Sequence, residues 1–163
     1  MGPIKVDTLN TSEMPFGTLS QVGVIVEDIN KAMEFLKLIG IGPFVPRFRK
    51  PCDEVWEGGK KVDINIELMF AYFNNVELEL IQPTGEGLHM DFLKHTGGGI
   101  HHLGFWVDDL DTTLNTLKDK GVEVIQIGRR DEGEGGFALL KSQEYCGIMI
   151  EIAQGPVRPT DIE

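Results

Sequence analysis

The sequence predicts an α+β fold of two tandem βαβββ modules whose sheets pair around a shared cleft. Three observations predict it. The segment LSQVGVIVEDINKAMEFLKLIG from Leu19 lies over IHHLGFWVDDLDTTLNTLKDKG from Ile100 at an offset of 100 − 19 = 81, with six identities in 22 positions. Both copies also change hydrophobic period, from strand-like to helix-like, at the same place. A second match sets VELELIQ from Val76 over IMIEIAQ from Ile148, an offset of 148 − 76 = 72, pairing Glu79 with Glu151 and Gln82 with Gln154. The difference, 81 − 72 = 9, means that the second copy loses nine residues between its helix and its last strand. One such unit leaves a sheet face uncovered, so two units enclosing a common cleft complete the fold.

The elements follow in order. Residues 1–17 read as a polar leader, an arm toward a neighbouring subunit, with no basic stretch and apolar core to make a secretory signal. Residues 18–156 form one domain, with module one at 18–84, a connector at 85–98, module two at 99–156, and 157–163 as a tail. In module one Val22–Val26 is a strand, Asp28 a helix N-cap, and Ile29, Ala32, Met33 and Leu36 the apolar face of the helix that Gly40 ends. Val62–Phe73 and Val76–Ile81 then read as strands joined by a turn at Asn74-Asn75. Module two repeats the pattern with Leu103–Val107, Asp109, Leu110, Leu114, Leu117 and Gly121, then strands at Phe137–Lys141 and Ile148–Ala153. In the polar connector, His89 and His95 read as linker residues facing solvent. Gly97–Gly99 lack the Lys-Ser/Thr ending of a phosphate loop and read as a tight turn.

Composition narrows the function. The 163 residues carry 26 acidic against 15 basic side chains, a net charge of −11, which repels nucleic acid. The chain has no apolar run long enough to span a membrane. Two cysteines, Cys52 and Cys146, make no disulfide framework and read as thiols of a reducing cytoplasm. Arg47, Arg49 and Lys50, with Lys60 and Lys61, form the main basic cluster, a solvated strand face that could also meet a phosphate tail. Trp56 and Trp106 read as core or cleft-wall residues.

The chemistry lies at repeat-related positions. Gln21 and His102 correspond on the first strands, and Glu79 and Glu151 on the last. Strand alternation puts Val76, Leu78 and Leu80 on one face and turns Glu79 to the other; Ile148, Ile150 and Ile152 do the same for Glu151. A glutamate among apolar neighbours is costly unless paired or metal-bound. One imidazole nitrogen and three oxygens suit a single Zn, Co, Ni or Mn ion. Alternation sends His101 to the face opposite His102, as a packing or supporting residue.

HHLGFWVDDLD after a glycine-rich lead-in, with VELELIQP and GIMIEIAQ, resembles the vicinal oxygen chelate superfamily over residues 18 to about 156. The resemblance implies paired βαβββ modules forming a cupped mixed sheet around a metal cleft, a homodimer, and metal ligands at Gln21, Glu79, His102 and Glu151. It also implies abstraction of a proton next to a carbonyl through a metal-stabilised enolate, with Glu151 or Glu79 as base.

Glutathione-using relatives carry Arg and Asn where this chain has Ile25 and Pro83, which argues against a glutathione lyase. FLKHTGGGIHHLGFWVDD, ELIQP and GIMIEIAQ are closer to the methylmalonyl-CoA epimerase family, implying an acyl-CoA substrate. That family's second catalytic acid has candidates here in Glu54, Glu57 and Glu67. The alternatives are another metal-dependent glyoxalase-like lyase or isomerase, or a non-enzymatic antibiotic-binding protein. An extradiol dioxygenase needs a histidine where Gln21 stands.

Overall fold

In the computed structural model, which describes residues 16–46, 52–130 and 135–154, both copies follow the expected β-α-β-β-β order, with a hairpin added in copy one, a helix between the copies and one helical turn added in copy two. Copy one contains β1 (Leu19–Ile25), α1 (Ile29–Leu38), β2 (Val45–Pro46), β3 (Glu54–Glu57), β4 (Lys60–Val62), β5 (Ile66–Phe73) and β6 (Val76–Pro83). After α2 (Leu88–Thr96), copy two contains β7 (Gly99–Trp106), α3 (Leu110–Asp119), β8 (Val124–Arg129), β9 (Gly136–Leu140), the single turn α4 (Gln143–Cys146) and β10 (Met149–Gln154). The ten strands make one strongly curled half-barrel in the order β2-β5-β6-β1-β7-β10-β9-β8-β3-β4. β1 and β7 pair antiparallel at its centre, and each pairs in parallel with the last strand of its own copy.

The helices start where the sequence places them. Asp28 accepts from the backbone N–H groups of Asn30 and Lys31 at 3.1 and 3.0 Å, and Asp109 from that of Thr112 at 2.6 Å. The matched glutamines complete the caps. Gln82 Oε1 accepts the N–H of Ile29 at 2.7 Å, and Gln154 Oε1 that of Leu110 at 2.7 Å. Each last strand thereby holds the first turn of its own helix. Two cores result: α1 packs Ile29, Met33 and Leu36 on Ala71 and Leu80, and α3 packs Leu110, Leu114 and Leu117 on Ala138 and Ile152.

The strand expected at Val62–Phe73 is two strands. β4 ends at Val62 and β5 begins at Ile66, because β3 and β4 form a hairpin that leaves module one and pairs on β8 of module two. Register accounts for the change in offset. Pro46 pairs with Met69, which pairs with Leu80; Ile127 pairs with Ala138, which pairs with Ile152. The offset is thus 127 − 46 = 81 before the hairpin and 138 − 69 = 69 after it, then 152 − 80 = 72 on the last strands. Copy two lacks twelve residues at the hairpin and regains three at α4.

The connector is also not a plain linker. It carries α2, whose C-cap Gly97 is left-handed at φ 77°. No helix among the described residues is long and apolar enough to cross a membrane. Arg47, Arg49, Lys50, residues 1–15 and the tail lie outside the described residues.

Candidate active site

Four neighbouring strands bring the four repeat-related side chains together. His102 Nε2 lies 3.0 Å from Gln21 Oε1, 3.4 Å from Glu79 Oε2 and 3.8 Å from Glu151 Oε2. Gln21, Glu79 and His102 are buried. The Gln21 amide is oriented by Glu77, whose Oε1 accepts from Gln21 Nε2 at 3.4 Å, leaving Oε1 to face the imidazole. Glu77 is itself buried, and Met149 stands at its place in the second copy, so symmetry could not reveal it.

The repeated glycines make the room. Gly23 lies across from His102 on one side and Glu79 on the other, and Gly104 lies across from Gln21 and Glu151. A Cβ on Gly23 would overlap the His102 ring, and one on Gly104 would stand 2.8 Å from Gln21 Cβ.

Burial alone would lower the His102 pKa, but the Glu151 charge and the hydrogen bond and charge of Glu79 outweigh it and raise it. Its neighbours behave oppositely. Burial, with little to oppose it, pushes His89 down to about 4 and His101 to about 2, so both are neutral near pH 7.

The cluster sits on the wall of a cavity of about 490 Å³ lined by both modules and by Glu54 and Lys61 of the hairpin. Among the described residues no group of three or more His, Cys, Asp or Glu stands in a preformed coordination geometry. What gathers these four is the imidazole nitrogen, with three oxygens directed at it. The donor types fit a divalent cation: a buried nitrogen, two carboxylates and an amide oxygen could all turn to an ion that replaces the Nε2 proton.

Three expectations need correction. His89 does not face solvent; α2 buries it to 8% exposure on the cavity wall, its ring 5.1 Å from that of His101. A helix in a segment of low apolar content gave too weak a periodicity to reveal this. His101 is not turned away from His102. β7 bulges there: Gly23 pairs with His102 and Val24 with Ile100, which leaves His101 without a counterpart and its Nδ1 3.1 Å from His102 Nδ1. Trp56 is 38% exposed on the hairpin, whereas Trp106 does line the cavity.

The three candidate acids separate. Glu54 lines the main cavity and is bridged to Lys61 at 2.5 Å, which holds its carboxyl below the usual range. Glu57 accepts from Gln126 at 3.1 Å and lines an adjoining cavity of about 270 Å³. Glu67 is exposed and lines neither.

The cluster thus lies at the centre of a curled sheet of paired βαβββ copies. Residues 20–139 match the family model of the Glyoxalase/Bleomycin resistance protein/Dioxygenase superfamily, and the chain belongs to it. The ethylmalonyl-CoA/methylmalonyl-CoA epimerase of Cereibacter sphaeroides is 27% identical over 143 residues, covering 85% of this chain and 98% of that protein. The mitochondrial methylmalonyl-CoA epimerase of Homo sapiens is 26% identical over 155 residues, covering 91% and 80%. A Streptomyces coelicolor methylmalonyl-CoA epimerase solved with 2-nitronate-propionyl-CoA superposes with a TM-score of 0.69 at 20% identity, covering 87% and 99%.

Proposed function

We propose that this chain is a divalent-metal-dependent epimerase of methylmalonyl-CoA or a closely related acyl-CoA thioester. The observation that carries the proposal is the convergence of Gln21, Glu79 and Glu151 oxygens on His102 Nε2, at the wall of a cavity large enough for an acyl group. The relatives named above supply the substrate class.

Gln21, Glu79, His102 and Glu151 hold one ion, of the Zn, Co, Ni or Mn kind. When bound, it supplies positive charge against the oxygen on which negative charge develops as the adjacent C–H bond breaks. Glu151 takes the proton. Its side chain is the more exposed of the two carboxylates, 15% against 9% for Glu79, and the farther from the imidazole, so it can move toward a substrate at least displacement. Inverting the carbon needs a proton delivered to the opposite face by a group that starts protonated. Glu54 lines the same cavity and is the candidate for that step when it carries a proton in place of its bridge to Lys61. Ile25 and Pro83 are both buried and offer nothing to the carboxylates of glutathione, which supports a thioester over a glutathione adduct.

The same reading takes the chain as a cytoplasmic homodimer. Cys52 and Cys146 are not joined in a disulfide, and Phe35 and Leu38 on α1 are exposed apolar side chains of the kind a second copy would cover. Light scattering at micromolar concentration tests the dimer.

The decisive experiment is solvent deuterium exchange into methylmalonyl-CoA, together with a metal assay. One ion per chain is expected, and exchange that Glu151→Gln or chelation abolishes. Protein that binds metal yet leaves the thioester unexchanged sinks the epimerase assignment and leaves a wider metal-dependent isomerase or lyase. Protein that binds no metal sinks the site.

A further inference from the structure

We propose that His101 is a positioning residue: through its Nδ1 it holds the ring of His102 so that Nε2 faces the ion, and the bulge in β7 puts it within reach. The proposal rests on the divalent-ion reading above.

A histidine that binds an ion through Nε2 carries its remaining proton on Nδ1, and that N–H needs an acceptor to fix the ring. His102 Nδ1 has one at 3.1 Å, the Nδ1 of His101. Regular strand alternation could not supply it, because consecutive side chains leave opposite faces. The bulge removes one step of that alternation at His101, as a second register shift does at the repeat-related Ser20 of β1.

The partner is itself held in place. His101 is 0% exposed, packed against His89 at 5.1 Å and against Phe92 at 5.0 Å and 88°, both from α2. The connector helix thus serves as a brace behind the bulge.

The use of an imidazole has a chemical consequence. A carboxylate in this position could only accept a hydrogen bond, whereas a neutral imidazole nitrogen accepts in one tautomer and donates in the other. The same contact therefore fits His102 with its proton on Nε2, hydrogen-bonded to Gln21 Oε1, and His102 with its proton on Nδ1 and an ion at Nε2. The ring keeps one orientation in both states.

The test is Co²⁺ titration of metal-free protein by calorimetry, with thermal unfolding as a check on the fold. His101→Phe fills the space without an acceptor and is expected to weaken Co²⁺ binding roughly 10- to 100-fold. His101→Asn, which sets an amide oxygen near the Nδ1 position, is expected to recover much of that loss. Folded H101F that binds Co²⁺ as tightly as wild type overturns the proposal, as does an H101N no better than H101F. If H101F does not fold, ¹⁵N NMR of Zn²⁺-loaded wild type decides: a slowly exchanging His102 Nδ1–H supports the proposal, and a rapidly exchanging one overturns it. Wild type that binds no Co²⁺ is a different failure, since it removes the metal reading first and His101's role with it.

Discussion

Gly23 stands directly across the sheet from His102, and the imidazole occupies the space where any other residue at 23 would carry its Cβ. The ring is also fixed behind by His101, so it has little freedom to retreat. Gly23→Ala is therefore expected to displace His102 and weaken Co²⁺ binding by roughly tenfold or more, in the range seen for disturbed ligand support. A Cβ at Gly104 stands 2.8 Å from Gln21 Cβ, a smaller overlap than at Gly23 and on the amide rather than the central imidazole, so Gly104→Ala is expected to cost less. Calorimetric titration of both variants checks the order, and equal affinities would contradict it.

Saturating metal is expected to stabilise the fold. An ion at about 100 times its Kd adds roughly 2.7 kcal/mol to the native state, several degrees of melting temperature for a chain of this size. His102→Ala removes the central donor, and its melting temperature is expected not to respond to Co²⁺. A scan with and without Co²⁺ reads this directly.

Glu54 and Glu67 divide cleanly by position. Glu54→Gln is expected to slow inversion of the carbon by roughly 10²-fold or more, the range for a general acid–base group, while Glu151 still exchanges the proton with solvent. Glu67→Gln is expected to leave inversion within about twofold. Epimerisation rates under saturating thioester distinguish the two, and a larger effect at Glu67 would move the second acid out of the cavity.

The glutamine caps predict a stability effect. Gln154→Ala leaves the Leu110 N–H, at the start of a fully buried residue, without its acceptor. Losing a partner there costs about 1–3 kcal/mol, or roughly 2–10 °C of melting temperature. Gln82→Ala is expected to do the same at Ile29. Exchange activity per folded molecule should change little for Gln82→Ala, since Gln82, unlike Gln154, does not line the cavity.

The aspartate caps set a pH window. Asp28 and Asp109 are held below their ordinary value of 3.8, first by the backbone N–H groups of Lys31 and Thr112. Their folded pKa values lie below the unfolded ones, so their contribution is complete well above pH 3.8 and is lost as the pH falls through the folded values. Asparagine accepts the same hydrogen bonds without titrating. The double variant D28N/D109N is therefore expected to lose less melting temperature than wild type between pH 5 and 3, and parallel curves would refute the caps' role.

Much of this molecule was determined by sequence alone. The duplication, the helix starts at Asp28 and Asp109, and the quartet Gln21, Glu79, His102 and Glu151 all follow from local period and self-similarity, which act within a copy and repeat between copies. Their convergence on one nitrogen matches that symmetry. What lacks a counterpart in the other copy was invisible. The hairpin at Glu54–Val62 pairs with β8, a strand of the other copy far along the chain, with Val55 opposite Gly128. Glu77 has Met149 as its counterpart, and the burial of His89 depends on where α2 docks. His101 shows the limit most plainly: alternation is a rule for regular strands, and a bulge is decided by pairing across the sheet. Tertiary pairing chose which imidazole would stand behind the other.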